Sequence, residues 1–306
     1  MTAPSLARFN RPPHVTTDLD LEPAALSSVL HLAAQTKRTP LRFSQVLAGR
    51  YLSLLFEKPS LRTRLTFELA MKQLGGDAVH CDGRIGERDP VKDMARNLDR
   101  WTHCIAARVY SHSTIEELTR WSSVPVINAL SDLYHPCQIL ADMQTIHERF
   151  GRFEKLKLAF IGDGNNVAHS LMLTGGRLGI EIAVATPKGY GPNRSIVAEA
   201  ARHGSIALTC DPVEAVEGAH VVYTDVWVSM GQEAQAEDRA RAFAPYQVDE
   251  TLFARARPEA VFMHCLPARR GQEVTDGVIE GPRSVVFDQA ENRLHAQKAL
   301  LLTLLQ

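Results

Sequence analysis

The chain has 306 residues, of which 45% are apolar, and its 34 basic and 35 acidic side chains give a net charge of −1. A chain of this length buries a large core and usually divides into two domains. The near-zero net charge argues against a nucleic-acid or membrane-surface protein, which would carry a basic excess. No stretch approaches ~18 consecutive apolar residues, so no transmembrane helix is expected.

The five cysteines are odd in number, widely spaced and without a CxxC pair. This pattern argues against a disulfide scaffold or a zinc site and favours a reducing compartment. The N-terminal segment also lacks the apolar core of a signal peptide. We therefore expect a cytoplasmic protein.

Short β-branched runs alternate with helical patterns along the whole chain. Strands are predicted at 51–56, 78–81, 104–109, 125–128, 158–161, 182–186, 206–210, 221–224, 261–264 and 285–287. Helices lie between them, including 136–150, and a last helix is predicted at 290–305. This rhythm predicts an α/β fold with parallel sheets covered on both faces. The polar segment 151–157 is the expected domain boundary.

The run 56–68, FEKPSLRTRLTFE, has hydroxyl and guanidinium groups where a predicted strand passes into a predicted helix, here expected at 65–74. Free N–H groups and the dipole of a helix N-terminus attract an anion. Ser60 and Thr63 can donate hydroxyl hydrogen bonds, and Arg62 can bind two oxygens at once. The run predicts a site for a small phosphate, with an ordinary capped helix as the alternative.

Two further motifs end predicted strands in the first half. Arg108 follows the apolar run CIAA, from which it can reach a carbonyl or phosphate oxygen or extend into solvent. His135 and Gln138, in HPCQ, begin a helix whose first turn suits Pro136. This pair can polarise a carbonyl, and a helix-start histidine without that role is the alternative.

In the second half, the segment 162–166 (GDGNN) follows a predicted strand. It matches a dinucleotide fingerprint poorly, because Val167 stands where that pattern needs Gly or Ala and no acid ends the next strand. An asparagine pair at a helix start suits a polar ligand such as a carboxylate.

Three more motifs complete the set. Asp225, in DVWVSMGQE, can hold an α-ammonium group with Ser229 beside it, or it belongs to a polar turn. Cys265, in HCLPARRG, is either a functional thiol or a buried structural cysteine. Arg293 opens the last predicted helix and either returns to the phosphate site or lies in solvent. Ligands of open α/β sheets bind at the carboxyl ends of strands, so these placements favour one shared site.

Together SLRTR, HPCQ, DVWVSMG and HCLP resemble the aspartate/ornithine carbamoyltransferase family, in the family's order and from about residue 40 to residue 300. DVWxSMG with HCLP is the ornithine-type combination. Aspartate-type members carry a different, arginine-bearing signature in the second half, and putrescine-type members lack SMG. The resemblance implies transfer of the carbamoyl group of carbamoyl phosphate to the δ-amine of L-ornithine, giving L-citrulline and phosphate in arginine biosynthesis. It implies no metal or organic cofactor.

The resemblance also implies two α/β domains, each a mostly parallel sheet flanked by helices, with the site in the cleft between them. The carbamoyl-phosphate-binding domain would be 1–150, the ornithine-binding domain 151–287, and the C-terminal helix, about 288–306, would pack back on the first domain. The family is built on trimers, or multiples of them, in which a loop from a neighbouring subunit completes each site.

By the same resemblance, residues along the whole chain would contact the substrates. Carbamoyl phosphate would be bound by Ser60, Leu61, Arg62, Thr63, Arg84, Arg108, His135, Gln138, Cys265, Leu266 and Arg293. Ornithine would be bound by Asn166, Asp225, Ser229 and Met230. Arg108 and His135 would polarise the carbonyl, and Cys265 would orient the amine or accept its proton.

Two positions depart from the family pattern. Leu61 stands where most members have Thr, which removes a hydroxyl but keeps the backbone N–H, and acetylornithine-type relatives also have Leu there. Arg84 stands where many ornithine enzymes have Gln, in the loop 82–86 that resembles the loop reaching a neighbour's site. Its charge can offset the lost threonine.

Three alternatives remain at this stage. Leu61 favours an N-acyl-ornithine carbamoyltransferase, although Asp225 suits a free α-ammonium. A catalytically silent sensor or scaffold could share the same fold. A dinucleotide-binding protein is the alternative at the level of the fold.

Overall fold

The structure, a computed structural model, describes residues 14–229 and 231–306. The chain forms two compact units. Unit 1 comprises residues up to Gln144 together with Glu291–Gln306, and unit 2 comprises Thr145–Ala290. No helix among the described residues is long and apolar enough to cross a membrane.

Unit 1 contains a five-stranded parallel sheet in the order β1-β5-β4-β2-β3. Its strands are β1 His14–Val15, β2 Tyr51–Phe56, β3 Asp77–Asp82, β4 Cys104–Arg108 and β5 Val126–Leu130. Its helices are α1 Pro23–Arg38, α2 Leu61–Gln73, α3 Val91–Trp101, α4 His112–Trp121 and α5 Pro136–Phe150, the last of which continues into unit 2. The central strands are buried on both faces, which explains their continuous rather than alternating apolar sequence.

Unit 2 contains a second five-stranded parallel sheet, in the order β10-β9-β6-β7-β8. Its strands are β6 Lys157–Ile161, β7 Glu181–Ala185, β8 Ile206–Thr209, β9 Val221–Thr224 and β10 Val261–His264. Its helices are α6 Asn166–Arg177, α7 Arg194–Ala200, α8 Pro212–Val216, α9 Ala236–Phe243, α10 Glu250–Phe253 and α11 Asp276–Ile279. The predicted α/β class with two mostly parallel sheets is confirmed.

The last helix, α12, spans Val286–Leu305 and lies mainly in unit 1. Its residues hydrogen bond to α1, through Lys37 and Asn292, and to α2 and α5, through Arg293. The C-terminal helix therefore packs on the first half of the chain, as expected.

Each sheet reverses its strand order at one point. In unit 1 the reversal lies between β2 and β4, where Phe56 pairs with Arg108. In unit 2 it lies between β6 and β9, where Ile161 pairs with Thr224. Such switch points open a crevice at the carboxyl ends of the strands. The phosphate run and Arg108 follow the first switch point, and Asp225 follows the second.

Three local predictions were wrong. The segment 285–287 is not a strand, because Ser284 makes a single bridge to Phe262 and the helix α12 begins at Val286. That helix starts four residues before the predicted position, and α2 likewise starts at Leu61 instead of residue 65. The strand β1 was not predicted, since two residues carry no periodicity.

Candidate active site

The N-terminus of α2 has the geometry of an anion site. Ser60 is the N-cap, and its side-chain oxygen accepts the Thr63 N–H at 3.2 Å. Leu61 and Arg62 occupy the first turn, where backbone N–H groups have no partner within the helix. The helix dipole adds partial positive charge at the same point. Leu61 lacks the hydroxyl that most family members have at this position, but its backbone N–H still lies in this first turn.

Arg293 joins three distant parts of the sequence in unit 1. Its side chain is buried, Nη2 donates to Thr63 Oγ1 at 2.9 Å, and Nη1 donates to Gln138 Oε1. These partners lie 230 and 155 positions away along the chain. Gln138 is held in turn, because its Nε2 donates to Asp142 Oδ1 at 2.8 Å. A guanidinium group thus lies directly at the N-terminal turn of α2.

His135 and Arg108 belong to the same surroundings. His135 is buried just before α5, and burial, followed by the charges of Arg293 and Arg108, holds its pKa well below the usual 6.5. The imidazole is therefore neutral at pH 7 and can donate one hydrogen bond to a ligand. Arg108 is buried at the end of β4, and its carbonyl oxygen accepts the Glu57 N–H at 2.9 Å.

Glu57 hydrogen bonds to the loop that contains Arg84. Its Oε1 accepts the Ile85 N–H at 3.0 Å, and its Oε2 accepts the Tyr110 N–H at 2.8 Å. The exposed Arg84 guanidinium lies over the Tyr110 ring, 5.7 Å from its centre. Within its own unit, Arg84 thus lies above the ends of β3 and β4.

In unit 2, Asp225 connects the ends of three strands. Its Oδ2 accepts from Asn165 Nδ2 at 2.8 Å, and its Oδ1 accepts from Cys265 Sγ at 3.0 Å and from the Val226 N–H. Asn165 follows β6, Asp225 follows β9 and Cys265 follows β10. A buried carboxylate with a thiol and an amide beside it can bind an ammonium group.

The remaining predicted ornithine contacts lie near this carboxylate in sequence. Asn166 is the first residue of α6, directly after the cap Asn165. Ser229 closes a turn, since its carbonyl accepts the Gln232 N–H at 3.0 Å and its own N–H donates to Gln232 Oε1. Met230 lies outside the described residues.

The backbone after β10 is held in an unusual conformation. Leu266 has a φ of 56°, in the left-handed region that side chains other than glycine rarely adopt. Its N–H donates to His264 Nδ1 at 2.8 Å, and His264 Nε2 lies 3.2 Å from Glu273 Oε1. His264 and Glu273 are fully buried, so they fix the segment that contains Cys265 and Leu266.

Asp225, His264 and Cys265 each place one metal-binding atom within 4.8 Å of the others. These atoms already hydrogen bond within the protein: the thiol to the carboxylate, and the imidazole to Leu266 N–H and Glu273. The thiol–carboxylate hydrogen bond accounts for the close approach of Cys265 and Asp225, and His264 directly precedes Cys265 in the sequence.

Two buried residues near the Asp225 carboxylate, Arg239 and Glu273, were not selected from the sequence. Asn165 was recognised as one of an asparagine pair at a helix start, although only Asn166 was assigned to ornithine. Its side chain accepts the N–H groups of Val167 and Ala168. Arg239 and Glu273 lie in segments with no motif, and only their burial in the folded unit reveals them.

Two family models match the chain. Residues 13–148 match "Aspartate/ornithine carbamoyltransferase, carbamoyl-P binding domain", and residues 154–304 match "Aspartate/ornithine carbamoyltransferase, Asp/Orn binding domain". A curated relative named "Ornithine carbamoyltransferase, anabolic", from Pyrococcus furiosus, is 52% identical over 265 residues, which is 84% of each chain.

Solved structures give the same result. The chain is similar to ornithine carbamoyltransferase from Pyrococcus furiosus, with a TM-score of 0.93 and 46% identity over 96% of this chain and 97% of that one. It is also similar to an acetylornithine transcarbamylase complexed with acetylcitrulline, with a TM-score of 0.86 and 30% identity over 96% and 99% of the two chains.

Proposed function

Because the chain belongs to the aspartate/ornithine carbamoyltransferase family, we propose that it transfers the carbamoyl group of carbamoyl phosphate to the δ-amine of L-ornithine. The products are L-citrulline and phosphate. The observation that carries the proposal is the convergence of Arg293, Gln138 and Thr63 at the N-terminus of α2. A buried guanidinium beside a helix N-terminus suits the phosphate group of the first substrate.

We assign carbamoyl phosphate to the residues near Arg293, Gln138 and Thr63, together with those that the family motifs imply. They are Ser60, Leu61 through its N–H, Arg62, Thr63, Arg84, Arg108, His135, Gln138, Cys265, Leu266 and Arg293. Since the Leu266 N–H is donated to His264, its carbonyl oxygen is the group that would contact the substrate.

The chemistry follows from the charges of these groups. As the amine attacks, negative charge develops on the carbonyl oxygen and then on the departing phosphate. Arg108 and the neutral His135 would stabilise the carbonyl oxygen, and Arg62 and Arg293 would stabilise the phosphate. A free alkylamine has a pKa of about 10.4, so the rate should rise with pH through the neutral range as the attacking, neutral amine becomes more abundant.

Ornithine is assigned to Asn166, Asp225, Ser229 and Met230. The Asp225 carboxylate would bind the α-ammonium group, and its hydrogen bond from Asn165 keeps one oxygen oriented. Cys265, whose thiol donates to Asp225, would orient the δ-amine, and only its thiolate form would accept the amine's proton. We propose a carbamoyl-phosphate-binding domain at 1–150 with 288–306, and an ornithine-binding domain at 151–287.

The choice of acceptor distinguishes this proposal from an N-acyl-ornithine carbamoyltransferase. An acylated α-nitrogen carries no charge and gives the buried Asp225 no ion-pair partner. Sequence identity is also higher to the structure named for ornithine than to the one named for acetylornithine. The anabolic relative favours the biosynthetic direction, in arginine biosynthesis, and a cytoplasmic location.

The test is an assay of phosphate release and ureido-product formation with carbamoyl phosphate and a panel of amines. L-Ornithine, N-acetyl-L-ornithine and putrescine are each supplied alone. We expect citrulline from ornithine and at least about 100-fold lower kcat/KM with N-acetylornithine, because the latter leaves a buried charge unpaired. A preference for N-acetylornithine would reverse the assignment, and no product with any amine would refute the enzyme function.

We further propose that the protein forms trimers, or multiples of them, through the outer face of α2. Leu61, Leu65 and Leu69 repeat every fourth residue on that helix and are 71%, 44% and 44% exposed. Leu61 and Leu65 also border an open cavity of about 470 Å³. His80, on β3 at the edge of the sheet, lines the same cavity. Exposed apolar stripes next to a sheet edge commonly mark protein interfaces.

Light scattering of a Leu65→Lys variant tests the assembly. A buried lysine at the interface should shift the protein to monomers, whereas Leu208→Lys, on the exposed edge strand of unit 2, should leave the mass unchanged. A wild-type monomer, or an unaltered trimer in the Leu65→Lys variant, would disprove this interface.

A further inference from the structure

Arg239 is a buried cation in unit 2 that the proposed chemistry does not use. It lies in α9, and its side chain is only 7% exposed. Nη1 donates to the Trp227 carbonyl oxygen at 2.9 Å and lies 3.0 Å from Asp163 Oδ2. Nε donates to Gln235 Oε1 within the same helical segment. One guanidinium thus connects the loop after β6 with the loop after β9.

A third loop packs on the same guanidinium. The Tyr190 ring lies 5.0 Å from the guanidinium carbon, within the range of a cation–π contact. The Tyr190 carbonyl oxygen accepts the Gly164 N–H at 2.9 Å. A Cβ on Gly164 would lie 2.2 Å from Pro192 N, so the two loops are in close backbone contact. Arg239 therefore lies where three loops meet.

Two of these loops contain the groups assigned to ornithine. Asp163 is two residues before Asn165, which hydrogen bonds to Asp225, and three before Asn166. Trp227 lies midway between Asp225 and Ser229 in the sequence. The contacts of Arg239 are thus within three residues of every described side chain in the proposed ornithine set.

We propose that Arg239 is a positioning residue for the amino-acid substrate, because it holds the Asp163 loop and the Trp227 loop at a fixed separation. It does not contact the substrate itself. This inference rests on the proposed function and adds a determinant of ornithine binding that lies outside the binding motifs.

The charges of Asp163 and Arg239 are consistent with a stable ion pair between the two loops. Burial raises the pKa of Asp163 to about 6, and the adjacent Arg239 charge opposes that rise. At pH 7 the carboxyl is ionised and paired with Arg239. Without the guanidinium, the buried Asp163 carboxylate would lose its partner. The carboxylate would then take up a proton, or its loop would rearrange. Lysine cannot replace arginine here, because one ammonium cannot reproduce a planar group that bonds two loops and stacks on a third.

The experiment measures KM for each substrate separately in Arg239→Lys, Asp163→Asn and the control Arg241→Gln. Arg241 lies on the same helix but is 76% exposed, and it pairs with Asp238 at the surface. We expect Arg239→Lys to raise the ornithine KM about tenfold or more and to leave the carbamoyl phosphate KM within about twofold. Asp163→Asn should raise the ornithine KM by a smaller factor, and Arg241→Gln should change neither constant.

Three outcomes are informative. An Arg239→Lys variant with the wild-type ornithine KM, or with both KM values raised equally, overturns the inference while leaving the proposed function intact. If that variant does not fold, the two KM values of Asp163→Asn test the inference in the same way. This substitution keeps the arginine and the volume of the acid. If the wild-type protein forms no citrulline, both proposals are overturned. The control variant Arg241→Gln would then form no citrulline either.

Discussion

In unit 1 the proposed phosphate site is cationic and is assembled from helices that are far apart in the sequence. In unit 2 the proposed ornithine site is anionic and is assembled from loops that follow neighbouring strands. Arg293 reaches Thr63 across 230 positions, whereas Asn165 reaches Asp225 across 60. Both sites nevertheless lie at the switch point of a parallel sheet.

This difference shows two ways of supplying charge at the same kind of crevice. A switch point provides backbone and one or two side chains, but a dianionic phosphate needs more positive charge than one helix end supplies. In unit 1 the extra guanidinium comes from the C-terminal helix. In unit 2 one carboxylate suffices for an ammonium group, and the buried Asp163–Arg239 pair supports the loops instead of the ligand.

The largest expected effect is the loss of the long-range cation. Arg293→Ala removes two hydrogen bonds and a buried charge, so we expect kcat/KM for carbamoyl phosphate to fall about 1,000-fold, or roughly 4 kcal/mol. Steady-state kinetics at saturating ornithine measures it. Arg120→Ala, at an exposed position of α4, is the control. A loss below about tenfold would mean that phosphate binding does not depend on Arg293.

Next in size is the change of Asp225, the acid that we assign to the α-ammonium group. Asp225→Asn preserves shape but removes the charge that would pair with the α-ammonium, so kcat/KM for ornithine should fall about 100-fold. The carbamoyl phosphate KM should change little. Asp211→Asn, an exposed helix cap that asparagine fills equally well, is the matched control. Equal losses for both substrates would contradict the division of roles between the two units.

A smaller effect on substrate binding is expected when Arg84 is replaced. Arg84 is exposed, and the Coulomb energy of an exposed charge is weakened by solvent and salt. Arg84→Ala should raise the KM for carbamoyl phosphate by about threefold to tenfold, and more than the KM for ornithine. Titration of each substrate at two salt concentrations measures it, and equal effects on both substrates would count against a role in phosphate binding.

The smallest effect concerns the pH dependence of stability, because one imidazole exchanges at most one proton. The pKa of His135 is lowered in the folded protein. As the pH falls below 6.5, the unfolded chain binds a proton that the folded chain does not, so this histidine makes the protein less stable at low pH. Its contribution is fully present above 6.5 and is lost as the pH falls toward the lowered pKa.

Replacement of His135 by Gln should therefore make the free energy of unfolding less dependent on pH. Urea unfolding at about pH 7.5 and about pH 5.5, for wild type and variant, tests this difference. The gap between the two proteins should shrink or reverse at the lower pH. Parallel behaviour would show that the imidazole is protonated in the native state as well.

Much of this organisation was predictable from local sequence. The strands at 51–56, 221–224 and 261–264 were predicted with their observed bounds, because each is a short run of mostly apolar and aromatic residues between turn signals. The motifs at strand ends were correctly located for the same reason. The predicted strand at 285–287 failed, because a short apolar run does not distinguish a strand from the first turn of a helix.

The sequence by itself determined the α/β class, the order of the elements and the chemical character of each motif, because these depend on periodicity and residue type within a few turns of chain. The tertiary structure alone decided which partners those motifs meet: Arg293 with Thr63, Cys265 with Asp225, and Arg239 with Asp163. Such pairs depend on how helices pack on a sheet, and no local pattern encodes a contact across tens or hundreds of residues.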